Sequence, residues 1–197
     1  MQKIFIEKQQ AKNYKYPNNS LYPDAPEKCP FKKCMARKKL KKHGYYKRYI
    51  ITKAYTIKIR IRRYKCKICG RTVSMLPSFC IPYYQYTADV IIDIVKDSYK
   101  YKSNSRTARK WKALINTITR RNITYYRARL RQNRKYIQYV LNQISPRYIE
   151  LNQITGDNEW TKRMFDEIGV TYPSNVFNTE FHKISGQSFM SLQNIVA

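Results

Sequence analysis

The chain has 197 residues, 43% of them apolar, and carries 40 Lys and Arg against 12 Asp and Glu, a formal net charge of +28. That length allows one ordinary domain or two small ones, with enough apolar content for a packed core. An excess of this size repels itself in a compact state, which argues against a partnerless surface and for a polyanion, nucleic acid ahead of an anionic membrane. The N-terminus lacks the apolar run of a secretory signal, and no stretch is long enough to span a bilayer. A soluble cytoplasmic chain with no membrane contact is therefore expected.

Residues 1–27 are read as an extended leader. Pro17, Asn18, Asn19, Ser20, Pro23 and Pro26 break any period, which predicts a loosely held arm that Tyr14, Tyr16 and Tyr22 can dock.

Residues 28–79 hold two cysteine pairs, Cys29-Pro-Phe-Lys-Lys-Cys34 and Cys66-Lys-Ile-Cys69. In a reducing compartment, cysteines paired at short spacing point to metal rather than disulfides. A β-hairpin that joins the pairs offers four thiolates in a tetrahedron, the arrangement a structural Zn²⁺ requires. Gly70 lets the chain turn past the second pair. The first knuckle is two residues wider than Cys-x-x-Cys. A closed shell of Cys29, Cys34, Cys66 and Cys69 leaves no open position, so the ion would hold the fold rather than catalyse. Cys80 falls in an apolar run and reads as core. His43 reads as a surface or phosphate-facing imidazole ahead of a ligand.

Strands are predicted over residues 45–51, 55–64 and 71–74. Ile57, Ile59 and Ile61 alternate with Lys58, Arg60 and Arg62, a period of two that places isoleucines on one face and cations on the other. Those three cations are candidates for phosphate contact, which positions a protein on nucleic acid without reading sequence.

Residues 80–146 predict three helices. Thr87 caps the first, which runs to about Tyr99 and buries Ala88, Ile91, Ile94 and Val95. Ser105 caps the second, over residues 106–115, with Trp111 and Leu114. The third and longest covers residues 123–144 and is stopped by Pro146. Ile123, Tyr126, Leu130, Asn133, Ile137, Val140 and Ile144 form one seam whose single polar member, Asn133, suits the register of a homodimer or of packing on the ribbon. A break before the last of three helices suits a helix-turn-helix. Arg120, Arg121, Asn122, Tyr125 and Arg129 are the candidates for base readout, since Arg can bond guanine and Asn adenine in two places. Asp89, Asp93 and Asp97 share one helix face; ion pairing with the third helix is expected ahead of a catalytic metal site.

Residues 98–149 contain no carboxylate and 14 Lys and Arg; residues 28–88 contain none and 18. From Glu150 onward the balance reverses, with six acids and three bases. This acidic C-terminal segment, residues 147–197, predicts helices over 159–168, ended by Gly169, and 176–183.

The run His43-Gly-Tyr-Tyr-Lys-Arg48, then Arg63-Tyr-Lys-Cys-Lys-Ile-Cys-Gly-Arg-Thr72, Leu76-Pro-Ser-Phe79 and Ile81-Pro-Tyr83, resembles a bacterial family of uncharacterised function. Its members join a zinc ribbon to a helix-turn-helix and are similar to the DNA-binding front end of insertion-sequence transposases. The resemblance covers residues 29 to about 144. It implies DNA binding in a mobile-element setting, nucleoid association in a bacterial cytoplasm, and zinc ligation by Cys29, Cys34, Cys66 and Cys69. It supplies no catalytic centre: His43 and His182 are the only histidines, and too little chain follows the third helix for a transposase core. The expectation is an α+β zinc-dependent protein of double-stranded DNA that is not an enzyme. An RNA or single-strand binder with tyrosine stacking platforms is the main alternative, and an enzyme of DNA rearrangement using the three aspartates is a lesser one.

Overall fold

The structure, a computed structural model, describes residues 1–7, 11–14, 22–144, 156–170 and 173–191. It is α+β, with the sheet ahead of the helices in the chain. Strands β2 (Leu40–Ile51), β3 (Thr56–Cys66) and β4 (Thr72–Pro77) run antiparallel. Strand β1 (Gln2–Phe5) pairs in parallel with β4, giving the order β1-β4-β3-β2.

The leader is thus only partly the loose arm anticipated. Backbone groups on the open edge of β4 need partners, and residues 2–5 supply them. Ile4 is buried beside them, and a 3₁₀ turn over Ala11–Tyr14 packs the Tyr14 ring edge-on against Phe79 at 5.7 Å. Tyr16 and residues 17–20 lie outside the described residues.

Alternation gives the β2–β3 hairpin two chemically opposite faces, as expected. Ile50, Ile59 and Ile61 are fully buried on the inner face, with Leu76, Phe79 and Cys80 around them. The outer face carries Lys58, Arg60 and Arg62. Two residues further along the same face, Tyr64 and Cys66 are buried again, in a second core with Cys29, Leu40, Val73 and Met75. One strand therefore packs its inner face at the hairpin end and its outer face at the cysteine end. The β2–β3 register shifts between Lys42 and Tyr45, and Gly44, at φ +77°, takes the left-handed conformation this irregularity needs.

Helix α1 (Ala88–Lys100) buries Ala88, Ile91, Ile94 and Val95 as expected, and Val90, Ile92 and Ser98 besides. The added burial arises because α2 and α3 pack on it, and so do two C-terminal helices. The Thr87 side chain makes no capping bond; it donates to the Ile51 carbonyl at 3.5 Å. Helix α2 (Asn104–Leu114) is capped by Ser103 rather than Ser105. Ser103 has the extended backbone of a cap, and its Oγ accepts the Arg106 N–H at 3.2 Å.

The long third helix is two helices, α3 (Arg120–Gln132) and α4 (Arg134–Ile144), divided at Asn133. The cause is a buried amide: Asn133 Nδ2 donates to the carbonyls of Phe189 (2.6 Å) and Ser191 (3.0 Å). Ile123, Tyr126, Leu130, Ile137 and Val140 do form a seam, but each is buried within this chain. Asn133 sets an intramolecular junction. Pro146 lies outside the described residues.

Helices α5 (Asp157–Val170, running through Gly169) and α6 (Ser174–Ser185) follow. Trp160, Phe165, Phe177, Phe181, Phe189 and Met190 join the core built by α1, α3 and α4. The acidic segment therefore completes the helical core. Among the described residues, no helix is long and apolar enough to cross a membrane.

Candidate metal centre and basic surface

Two short loops carry the cysteines. In the first, Cys34 N–H donates to the Phe31 carbonyl at 2.8 Å and Met35 N–H to the same carbonyl at 3.2 Å. Met35 (φ 49°) and Lys38 (φ 50°) take positive φ, so the extra length of this knuckle is absorbed in a tight turn. Cys29 N–H reaches the Ala36 carbonyl at 2.9 Å and closes it. In the second, Gly70 at φ 69° sends its N–H back to the Cys66 carbonyl at 3.0 Å. Lys67 N–H to the Lys39 carbonyl, 3.0 Å, holds the two loops together.

The result is a compact set of four sulfurs, all within 4.8 Å of one another. Cys29 Sγ lies 3.7 Å from Cys69 Sγ, and Cys34 Sγ lies 3.8 Å from Cys66 Sγ. A tetrahedral Zn²⁺ with bonds of about 2.3 Å demands sulfur pairs about 3.8 Å apart. A disulfide demands about 2.05 Å, so these are free thiols grouped at coordination distance. Cys29 and Cys66 are fully buried, Cys34 and Cys69 half-buried. Burial pushes the Cys29 thiol up to about 12, while backbone N–H groups of Cys69 and Ile68 pull Cys66 down to about 7. Lys32, Lys33, Lys65, Lys67 and Arg71 flank the loops and oppose the charge of −2 that four thiolates around a divalent ion would leave; all five are exposed. The donor set fits zinc. Cys80 is fully buried in the inner-face core, apart from this cluster, and burial pushes its thiol up to about 12. His43 is exposed on β2 and is not among the clustered ligand groups.

The basic candidates fall on two elements. On the outer face of the sheet, each cation sits over a tyrosine ring: Lys58 over Tyr49 (5.0 Å), Arg60 over Tyr45 (4.7 Å) and Arg62 over Tyr22 (4.3 Å). Lys58 is exposed and Arg60 half-buried. Arg62 is only 8% exposed, because Tyr22 covers it. The leader thus takes Arg62 out of the accessible surface. Arg48, on the inner face, was not anticipated as a structural group. Its guanidinium donates to the Ile81 carbonyl at 2.7 Å and to the Tyr84 carbonyl, tying the hairpin to the connector before α1.

On α3, Arg120 and Arg121 are exposed in the first turn. Asn122 is held in a capping box: its Oδ1 accepts from the Thr119 backbone N–H at 2.9 Å, and Thr119 Oγ1 accepts the Asn122 N–H at 3.3 Å. The Thr-x-x-Asn spacing is visible in the sequence and signals this role. Tyr125 is 43% exposed, with Arg129 over its ring at 4.8 Å. Arg129 also donates to Gln132 at 3.1 Å. Arg120, Arg121, Thr124, Tyr125 and Ala128 line a shallow open depression. Tyr125 packs on Tyr84, whose hydroxyl donates to the Met190 carbonyl at 3.0 Å.

Two of the three aspartates of α1, Asp93 and Asp97, pair within the chain, and their partners among the described residues are not on the third helix. Asp93 pairs with Lys53 from the β2–β3 turn. Asp97 accepts from Lys110 (2.7 Å) and from the Trp111 indole (2.8 Å), both on α2. Asp97 is the group that most raises the affinity of Lys110 for its proton. Asp93 and Asp97 thus serve as braces to the hairpin and to the neighbouring helix.

Residues 29–111 match a family model described as a domain of unknown function (DUF6431). The match takes in the four cysteines, β2 to β4, α1 and most of α2, and leaves α3 to α6 outside. Comparison with curated proteins gives no match, and comparison with solved structures gives none.

Proposed function

We propose that the chain is a zinc-stabilised protein of double-stranded DNA, with α3 as the element offered to the duplex. One observation carries this reading. The exposed flank of α3 presents Arg120, Arg121 and Tyr125 beside a shallow depression, inside a stretch of 52 residues, 98–149, with no carboxylate to repel phosphate. Arg120 and Arg121 stand in the first turn of the helix, where the backbone N–H groups also favour phosphate. The α1, α2 and α3 unit with its five-residue turn, Ile115 to Thr119, has the order of a helix-turn-helix. Asn122 is engaged in capping, so base readout passes to the arginines and Tyr125. The cysteine cluster serves as scaffold, because four sulfurs leave no vacant position for a substrate. The likeness of the ribbon to insertion-sequence front ends supports a mobile-element setting for this DNA recognition.

The test is a duplex-binding titration across salt. Neutralising several phosphates gives a steep fall of affinity with salt, the slope being about 0.9 per phosphate neutralised. The double substitution Arg120→Ala, Arg121→Ala should reduce that slope by about 2. An unchanged slope, or no duplex binding at low salt, refutes the assignment to α3.

A further inference from the structure

We infer that the outer face of the β2–β3 hairpin is a stacking platform for unpaired nucleotides, with Tyr45 and Tyr49 as its rings and Lys47, Lys58 and Arg60 as its phosphate grips. The inference rests on the nucleic-acid reading above but concerns a different surface and a different form of the ligand. Tyr45 and Tyr49 are 47% and 51% exposed in the middle of one strand. Being four residues apart, they point to the same side and are about 13 Å from each other. Lys47 lies between them on that side and is paired across the ladder with Arg60, while Lys58 is paired with Tyr49.

Each ring already carries a cation on one side, Arg60 on Tyr45 and Lys58 on Tyr49. Such contacts fix the ring orientation before any ligand arrives, which lowers the entropy cost of binding. Ile50, Ile59, Ile61 and Arg48, which reach the rest of the chain, are on the opposite face. With no carboxylate between residues 28 and 88, nothing in the ribbon opposes a phosphate backbone.

A duplex keeps its base faces stacked inside, so exposed rings gain little from it; a single strand offers a π-face at every nucleotide. The sheet and α3 would therefore divide the work, the helix holding duplex and the hairpin holding a strand released from it. Both unpaired DNA and unpaired RNA have this chemistry.

The test uses the full zinc-loaded chain with fluorescein-labelled oligo(dT), oligo(U), a mixed-sequence duplex and heparin. Tyr45→Ala with Tyr49→Ala should weaken oligonucleotide binding at least about thirty-fold. Duplex and heparin binding should stay within about two-fold, and Tyr45→Phe with Tyr49→Phe, which keeps the π-faces, should restore the oligonucleotides. The ratio of oligo(dT) to oligo(U) affinity identifies the natural strand. Metal content and the urea midpoint of each variant show that the fold is intact. Undiminished oligonucleotide binding, or equal losses for duplex and heparin, overturns the inference. Duplex binding that disappears in Arg120→Ala, Arg121→Ala while oligo(dT) binding survives separates the two surfaces. Wild-type binding of oligo(dT) without duplex would defeat the α3 reading and leave the platform standing.

Discussion

Asn133 offers the sharpest test of how the helical half is held. Its side chain is fully buried, and Nδ2 makes two bonds to the carbonyls of Phe189 and Ser191. Asn133→Ala removes both, at about 1 kcal/mol net each, and leaves the carbonyl of a buried Phe189 unsatisfied for about a further 1–2 kcal/mol. A total loss of about 3–4 kcal/mol follows, a large fraction of the stability of an ordinary domain. Asn133→Leu makes the test decisive. In a dimer seam, an apolar residue at this position strengthens association. In an intramolecular junction it strands the same two carbonyls and must destabilise. Urea unfolding followed by circular dichroism, at two protein concentrations well apart, reads both outcomes. A loss under about 0.5 kcal/mol for the alanine variant, or a midpoint for Asn133→Leu that rises with concentration, refutes the junction.

Further outcomes follow from the same geometry. Purified protein should carry one zinc per chain by atomic absorption; Cys29→Ser should lose it, and Cys80→Ala, outside the cluster, should keep it. Burial, with Lys3 nearby, holds the His182 imidazole at about 4, below its usual 6.5, so the folded protein prefers it neutral. Stability from that preference is complete above pH 6.5 and is lost as pH falls from there toward 4; between pH 7 and pH 5 the loss should reach up to about 2 kcal/mol, and His182→Phe should flatten it. Asp97→Ala should cost about 2 kcal/mol in thermal or urea unfolding, because the buried Trp111 indole loses its acceptor and Lys110 its partner. A loss within about 0.5 kcal/mol, as for an ordinary surface site, would show that the brace is ornamental.

What could be read beforehand was mostly local. Cysteine spacing announced the sulfur cluster, alternation over Ile57 to Arg62 announced a two-faced strand, and the periodicity of Ala88 to Val95 announced α1. What escaped depends on contacts distant in the chain. Nothing in Gln2–Phe5 shows that it will meet β4 some seventy residues later. The seam through Asn133 was visible, but its partners at Phe189 and Ser191 lie 56 and 58 residues on, so one helix was expected where two exist. Arg62 looked like its neighbours Lys58 and Arg60 until Tyr22 folded over it. The platform surface is half visible in the sequence: Tyr45, Lys47 and Tyr49 stand at a period of two on β2, the strand paired with β3. Asn122 looked like a base reader because its type suits adenine; Thr119, three residues back, gave the competing signal.

Strand β3 places Arg60 and Cys66 on one face, three steps of two apart. A hairpin that slipped by a single residue would turn its isoleucines outward and its arginines inward, and would carry Cys66 away from the other three sulfurs. The misaligned form could then close no tetrahedron. Capture of the ion thus acts as a parity check on the hairpin, rewarding only the alignment in which Lys58, Arg60 and Arg62 also lie on the outer face.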